Sequence, residues 1–269
     1  MPICRDPGIV KPLLLTDEPG TRSIFNLITG SAGGRAVWIR LDSLSKPQAV
    51  VCRSGALHRR QMLYMYAANT KAAEQVLGEI PRRWKLEFAA TSRKLVPAVR
   101  RALRKRGRKL NWVSPCFLYV LDSEPRSNSS ERHRAKRHIS SPLVIDRTHK
   151  VGYLKPEDAR LIVDYWPHGR NEAYIRWRIA AGPTCAIRQK GRLVAWALTH
   201  TDGSMGILHV LDNYRGQGMA RSITTALAER CLKAGLRPFL YIVEKNKASI
   251  NLTKSMGFTR HAVVGWFGE

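Results

Sequence analysis

GILHVLDNYRGQGMARSITTALAERC, residues 206 to 231, followed by PFLYIVEKNKASINLTKSMGF, residues 238 to 258, decides how the rest of this chain is read. An apolar run from Gly206 to Leu211 meets a polar turn, Asp212 to Tyr214. Then come Arg215, Gly216, Gln217, Gly218, Met219 and Ala220, and a helical pattern begins at once. A strand, a glycine turn and a helix start in that order form an anion site. About four backbone N–H groups at a helix start lack internal partners, and the helix dipole adds partial positive charge there. A phosphate docks on those donors. Gly216 and Gly218 carry no Cβ, so the backbone can approach a pyrophosphate closely and take positive φ; Arg215 adds a side-chain charge. The turn lacks both the Gly-Lys-Ser/Thr of a P-loop and the Gly-x-Gly-x-x-Gly of a dinucleotide site. The pattern that remains, Arg/Gln-x-x-Gly-x-Gly/Ala, is met by Arg215, Gly218 and Ala220.

The next apolar run, Phe239 to Val243, reads as a strand, and Asn246 opens a short helix with Ser249, Leu252 and Gly257-Phe258. This order resembles the acetyl-CoA-dependent GCN5-related N-acetyltransferase (GNAT) superfamily. The resemblance implies that residues 215 to 220 hold the pyrophosphate of coenzyme A. It implies two strands splayed to admit the pantetheine arm beside Leu208 and Val210, and Asn246 and Ser249 bonding that arm's amides. A plain helix N-cap is the competing reading of Asn246.

Composition bounds the rest. The chain has 269 residues, 44% of them apolar, with length for one large or two modest domains. No apolar run approaches the ~18 residues of a membrane span. The stretch from Met1 to Phe25 carries Asp6, Asp17, Glu18 and early prolines, which fits neither a secretory nor a transit pattern. A cytoplasmic protein with no membrane partner is the expectation. The five cysteines (Cys4, Cys52, Cys116, Cys185, Cys231) are scattered, with no C-x-x-C, and read as reduced core fillers; no metal site is expected. The formal net charge is +26, and residues 1 to 150 hold 29 Lys/Arg against 11 Asp/Glu. Such a field draws polyanions, coenzyme A phosphates or a carboxylate substrate, or serves solubility alone.

Taken in order, a loop-like start precedes strands at 35–42 and 48–52 joined by a Ser-Lys-Pro turn, a strand at 62–66, and a helix at 70–77. A strand at 84–89, a helix at 93–106 capped by Ser92, and a strand at 111–121 follow. This half, residues 1–122, alternates as an acetyltransferase fold does, yet Tyr66-Ala-Ala-Asn-Thr70 stands where the glycine turn belongs, so it reads as a degenerate copy. Its basic helix is either a phosphate-tracking surface or a solvated amphipathic face; the latter is favoured because no aromatic residue is interleaved for base stacking. Residues 123–141 form a polar basic linker with the run Arg132 to His138. Residues 142–269 then give helices at about 156–166 and from 171, strands at 184–188, 193–200 and 206–211, and hairpin turns at Lys190-Gly191 and Asp202-Gly203. The expected fold class is α/β (α+β): tandem GNAT-like domains, each a mixed, mostly antiparallel sheet flanked by helices.

The combination of Trp166, Gly169, Asn171-Glu172, Pro183-Thr184, Gly191, Trp196, Asp202-Gly203, Tyr214-Arg215 and Gly218 is similar to the glycine N-acyltransferase family. That resemblance implies transfer of an acyl group from acyl-CoA to the amine of glycine or a related amino acid, and a mitochondrial alternative for location. Two positions depart from it. Ser204 stands where relatives keep a general-base Glu, and Thr253 where many acetyltransferases keep an acid Tyr.

Attack on a thioester needs a neutral amine, so a base contributing ~10²–10⁴ in rate is expected. His209, mid-strand and titrating near neutrality, is the first candidate; a core or surface histidine is the competing reading. Glu244, closing the next strand, is the second, unless it binds the amine or caps a helix. Ser204 serves at most to position a water. A backbone N–H near Val210 would polarise the carbonyl. The expected activity is therefore acyl-CoA-dependent N-acyl or acetyl transfer to a small amine, with glycine or another amino acid favoured. The alternatives are a macromolecular amine, on aminoacyl-tRNA or protein, and a nucleic-acid-binding module with a vestigial coenzyme fold.

Overall fold

The computed structural model describes residues 6–18, 20–55, 62–121, 146–166 and 171–269. The expected linker at 123–141, with its basic run, lies outside the described residues, as do Cys4 and Gly169.

The order of elements repeats. The first half runs α1 (Pro7–Leu15), α2 (Arg22–Thr29), β1 (Ala36–Leu41), β2 (Ala49–Ser54), β3 (Leu63–Ala67), α3 (Thr70–Gly78), β4 (Glu87–Ser92), α4 (Val96–Arg104) and β5 (Trp112–Val120). The second runs α5 (Ala159–Tyr165), α6 (Glu172–Ala181), β6 (Thr184–Gln189), β7 (Arg192–Thr199), β8 (Met205–Val210), α7 (Met219–Lys233), β9 (Phe239–Val243), α8 (Lys247–Ser255) and β10 (Thr259–Gly268). In each half one helix pair covers one face of the sheet (α1 and α2; α5 and α6), and the later helices cover the other.

The strands form a single ten-stranded sheet in the order β1-β2-β3-β4-β10-β5-β9-β8-β7-β6. It is antiparallel except at β3–β4 and β8–β9. The order is symmetric about its centre once the last strand of each half is exchanged: β10 pairs with β4, and β5 pairs with β9. The exchanged strands pair with each other from Thr259↔Val120 to Gly268↔Trp112. Phe267, from the second half, thus lies fully buried in the core of the first, tilted against Phe88 at 5.4 Å. The two half-sheets expected from sequence are joined edge to edge.

Local differences from the sequence reading have simple causes. Residues 7–29, expected as loop, form α1 and α2. Proline is tolerated at a first helical position; Asp6 caps Gly8 N at 2.7 Å, and Val10, Leu13, Leu14, Ile24 and Leu27 are buried. The fourth strand begins at Glu87 because Trp84 N closes a turn on Pro81 O (2.9 Å) and its indole packs edge-on against Trp38. The basic helix starts as a 3₁₀ turn, Arg93–Leu95, and Ser92 supplies no side-chain cap. Residues 151–154 contribute one bridge, Gly152 to Ala186. Cys52, Cys116, Cys185 and Cys231 are free and buried, and burial pushes the Cys185 and Cys231 thiols up to about 12.

Candidate active site

The site grows out of an irregularity in β8. Its register on β7 shifts between Trp196↔His209 and Leu198↔Gly206, so two residues, Ile207 and Leu208, oppose Ala197 alone. Ile207 has φ +50°, which is costly for a β-branched residue and marks a bulge. A bulge bends its strand. On its other side β8 pairs with β9 only at Met205↔Leu240, and beyond that point the parallel pair opens.

At the tip of β8 the chain turns through Asp212–Tyr214, and Tyr214 N bonds Leu211 O at 2.8 Å. Gly216 (φ +77°) and Gly218 (φ +79°) then carry it into α7. Gly218 is the N-cap and offers no side chain to the first N–H groups of α7. A cleft of about 210 Å³ lies there, walled by Val210, the turn from Tyr214 to Gly216, α7 from Gly218 to Arg221, and Leu252 of α8. Sequence reasoning brought Val210, Arg215, Gly216, Gly218, Met219 and Ala220 together, and all six line it. Arg215 is 62% exposed and folded back, donating to Val210 O (3.2 Å) and pairing with Asp212 (2.8 Å). Gln217 is exposed beside the cleft, and its carbonyl faces His149.

Two residues at this end were missed from sequence. Arg221 donates to Ser255 Oγ at 2.9 Å, tying α7 to α8 with its guanidinium at the cleft wall. His149 Nε2 bonds Gln217 O at 2.7 Å across 68 residues of chain. Arg221 directly follows the motif and was open to detection; nothing in the sequence links His149 to the turn.

Asn246 caps α8, its Oδ1 accepting from Ser249 N at 3.1 Å. Neither residue lines the cleft, to which α8 contributes Leu252.

The acid–base candidates divide by face. Leu208 and Val210 pack toward α7, whereas Ile207 and Leu211 pack toward α5 and α6. His209 shares the latter face: its ring stacks on Trp196 (4.9 Å, 27°) and meets Tyr165 at 4.7 Å. Its Nε2 is buried and has no hydrogen-bond partner among the described residues. Burial lowers its pKa from 6.5, helped by Arg215 and opposed by Asp212, so the ring is neutral at pH 7. Glu244 is paired with Arg93 across the halves at 3.3 Å, and its N–H bonds Pro115 O. Ser204 is not at the cleft: it is 3% exposed and donates to Asp202 Oδ1 at 2.6 Å. Asp202 also takes Ser204 N and the Ser23 hydroxyl, and Ser23 meets the Tyr241 hydroxyl at 2.8 Å. Asp202 therefore fastens the β7–β8 hairpin to α2, and Ser204 helps hold its carboxylate in place. Thr253 is buried in α8. Among the described residues no group of three or more His, Cys, Asp or Glu is placed to hold a metal ion, and no helix is long and apolar enough to cross a membrane.

Residues 185–267 match the model of a family described as FR47-like protein. Glycine N-acyltransferase of Bos taurus is 27% identical over 120 residues, which are 43% of this chain and 41% of that protein; the chain thus matches less than half the length of this relative. Among solved structures, a Drosophila protein superposes with a TM-score of 0.68 at 17% identity, covering 97% of this chain and 91% of that one. A GNAT-family acetyltransferase from Colwellia psychrerythraea gives 0.52 at 12% identity, with coverage of 100% and 99%. A tandem GNAT protein from the clavulanic acid biosynthesis pathway gives 0.51 at 11%, with coverage of 98% and 95%. The fold is thus that of tandem GNAT proteins, and the family-model match falls on its second half.

Proposed function

We propose that this chain is an acyl-CoA-dependent N-acyltransferase whose coenzyme site lies in residues 142–269, with residues 1–122 a degenerate copy of the same unit. One observation carries the reading: the start of α7 is open, while its counterpart in the first half is closed. Asn69 Oδ1 caps α3 by accepting from Ala72 N at 2.9 Å, consuming a donor that a phosphate would need. Gly218, at the matching place, has no side chain with which to do so.

In this reading the N–H groups of Gly218, Met219 and Ala220 hold the pyrophosphate, with Arg215 and Arg221 adding charge. The pantetheine arm enters where β8 leaves β9, and an N–H near Val210 polarises the thioester carbonyl. Neutral His209 accepts a proton from the acceptor ammonium. The freed amine forms the new C–N bond, and the C–S bond breaks to release coenzyme A thiolate, which takes up a proton. A thiol pKa near 8.5 makes that leaving group tolerable without an acid at position 253.

The acceptor class we favour is glycine or another amino acid, supported by the bovine relative's name; an amine on aminoacyl-tRNA or protein is the macromolecular alternative. The test is to incubate the protein with a series of acyl-CoAs and amines, following free thiol and product mass. Thiol release dependent on amino acid is expected. Absence of both transfer and coenzyme A binding overturns the reading.

A second reading, phosphate-backbone binding, has one observation in its favour: residues 81–110 carry 12 Lys/Arg against a single acid, Glu87. Arg106 is crowded enough that burial, Arg108 and Arg82 lower its pKa. RNA affinity that is flat between low and moderate salt would exclude it.

A further inference from the structure

Residues 146–149 lie along α7 on three side-chain contacts that the proposed chemistry does not use. Asp146 Oδ1 accepts from Ser222 Oγ at 2.7 Å. Arg147 forks onto both carboxylate oxygens of Glu229 at 2.8 and 2.7 Å. His149 Nε2 reaches Gln217 O at 2.7 Å. A carbonyl oxygen only accepts, so Nε2 carries the proton in this bond. The segment is therefore pinned from the third turn of α7 to the residue before its N-cap.

The last contact has a geometric consequence. The peptide joining Gln217 to Gly218 is planar and trans, so its C=O and its N–H point in opposite directions. Holding the carbonyl against His149 turns the Gly218 N–H away from the 146–149 segment. Gly218 itself lines the cleft, and a Cβ there would find His149 Nε2 at 4.0 Å and nothing nearer.

We propose that His149 is a positioning residue for the coenzyme: it locks the 217–218 peptide so that the Gly218 N–H faces the pyrophosphate before the coenzyme arrives. This rests on the acyl-CoA reading above. It does not touch the acceptor side, so its loss acts on donor binding and leaves acceptor binding alone.

The experiment measures coenzyme A and dephospho-coenzyme A binding by calorimetry for the wild-type chain, His149→Ala and His149→Gln. It also measures transfer from an S-acyl-N-acetylcysteamine donor, which has no pyrophosphate. His149→Ala is expected to weaken both nucleotides by about three- to tenfold, as loss of one pre-organising hydrogen bond would, with KM for acyl-CoA raised and kcat retained. His149→Gln, whose amide nitrogen reaches the same carbonyl, recovers most of the affinity. Transfer from the truncated donor is unchanged in both. Equal affinity in wild type and His149→Ala overturns the role of His149 while leaving the coenzyme site standing. Equal loss in Ala and Gln variants, or loss with the truncated donor, also overturns it and points to general damage. No coenzyme binding by the wild-type chain overturns the parent reading and this one together.

Discussion

The imidazole of His209 lies on the indole of Trp196, its cross-strand partner, with ring centroids 4.9 Å apart. Neither His209 Nε2 nor Trp196 Nε1 has a hydrogen-bond partner among the described residues. Two buried polar atoms without partners are costly, each of the order of 1–3 kcal/mol. An acceptor amine beside His209 would supply what the free protein lacks. The same burial keeps the ring neutral, as the proposed base must be.

The pH dependence follows with a definite sign. The folded pKa of His209 lies below the unfolded value of 6.5, so the unfolded chain binds more protons as pH falls through that window. Stability is therefore highest above about 6.5 and declines on acidification until the folded group itself protonates. The acid limb of kcat/KM is expected below 6.5. His209→Ala should remove that limb and lower the plateau by about 10²–10⁴. An unchanged pH profile in the variant would rule out His209 as the base.

Gly218→Ala tests the glycine turn. At φ +79° an alanine costs about 1–2 kcal/mol. That strain acts on the peptide that carries the site. A rise in KM for acyl-CoA of roughly tenfold is expected from such a cost, with acceptor KM unchanged. Gly216→Ala, at φ +77° and with open space around its Cβ, should behave alike through backbone strain. Unaltered donor KM in both variants would exclude a phosphate role for this turn.

Ser204→Ala separates a structural hydroxyl from a chemical one. The hydroxyl serves Asp202, which also holds Ser23 and thereby joins the hairpin to α2. Removing it should cost about 1 kcal/mol in urea unfolding, with kcat and its pH profile retained. A drop in kcat of a hundredfold with stability intact would restore Ser204 to the chemistry.

What the sequence made legible here is local. Gly216 and Gly218 announce positive φ, and Lys190-Gly191 does take the hairpin conformation with φ +48° and +78°. The period-2 runs gave β6, β7 and β8 within about a residue or two, as such signals do. Hidden features came from tertiary context. No glycine marks Ile207, whose left-handed φ is held by register on β7. The family resemblance implied a catalytic position at Ser204, yet the turn at Asp202 draws its hydroxyl inward. His149 meets Gln217 only because the chain returns along α7. The exchange of β5 and β10 is invisible to any periodicity, since a strand reads the same wherever it pairs.

That exchange makes the C-terminal strand a test of how the halves cohere. Phe267, on β10, is fully buried among Leu86, Phe88 and Leu103 of the other half. Phe267→Ala is expected to destabilise by about 3–5 kcal/mol. Because β10 pairs with both β4 and β5, the loss should be shared by the whole sheet. Urea unfolding followed by tryptophan fluorescence, with Trp38 and Trp84 in the first half and Trp196 in the second, reads both sides at once. A single transition shifted to lower urea is the expected result. Two transitions, with only the Trp38 and Trp84 side displaced, would mean that β10 stabilises the first half alone.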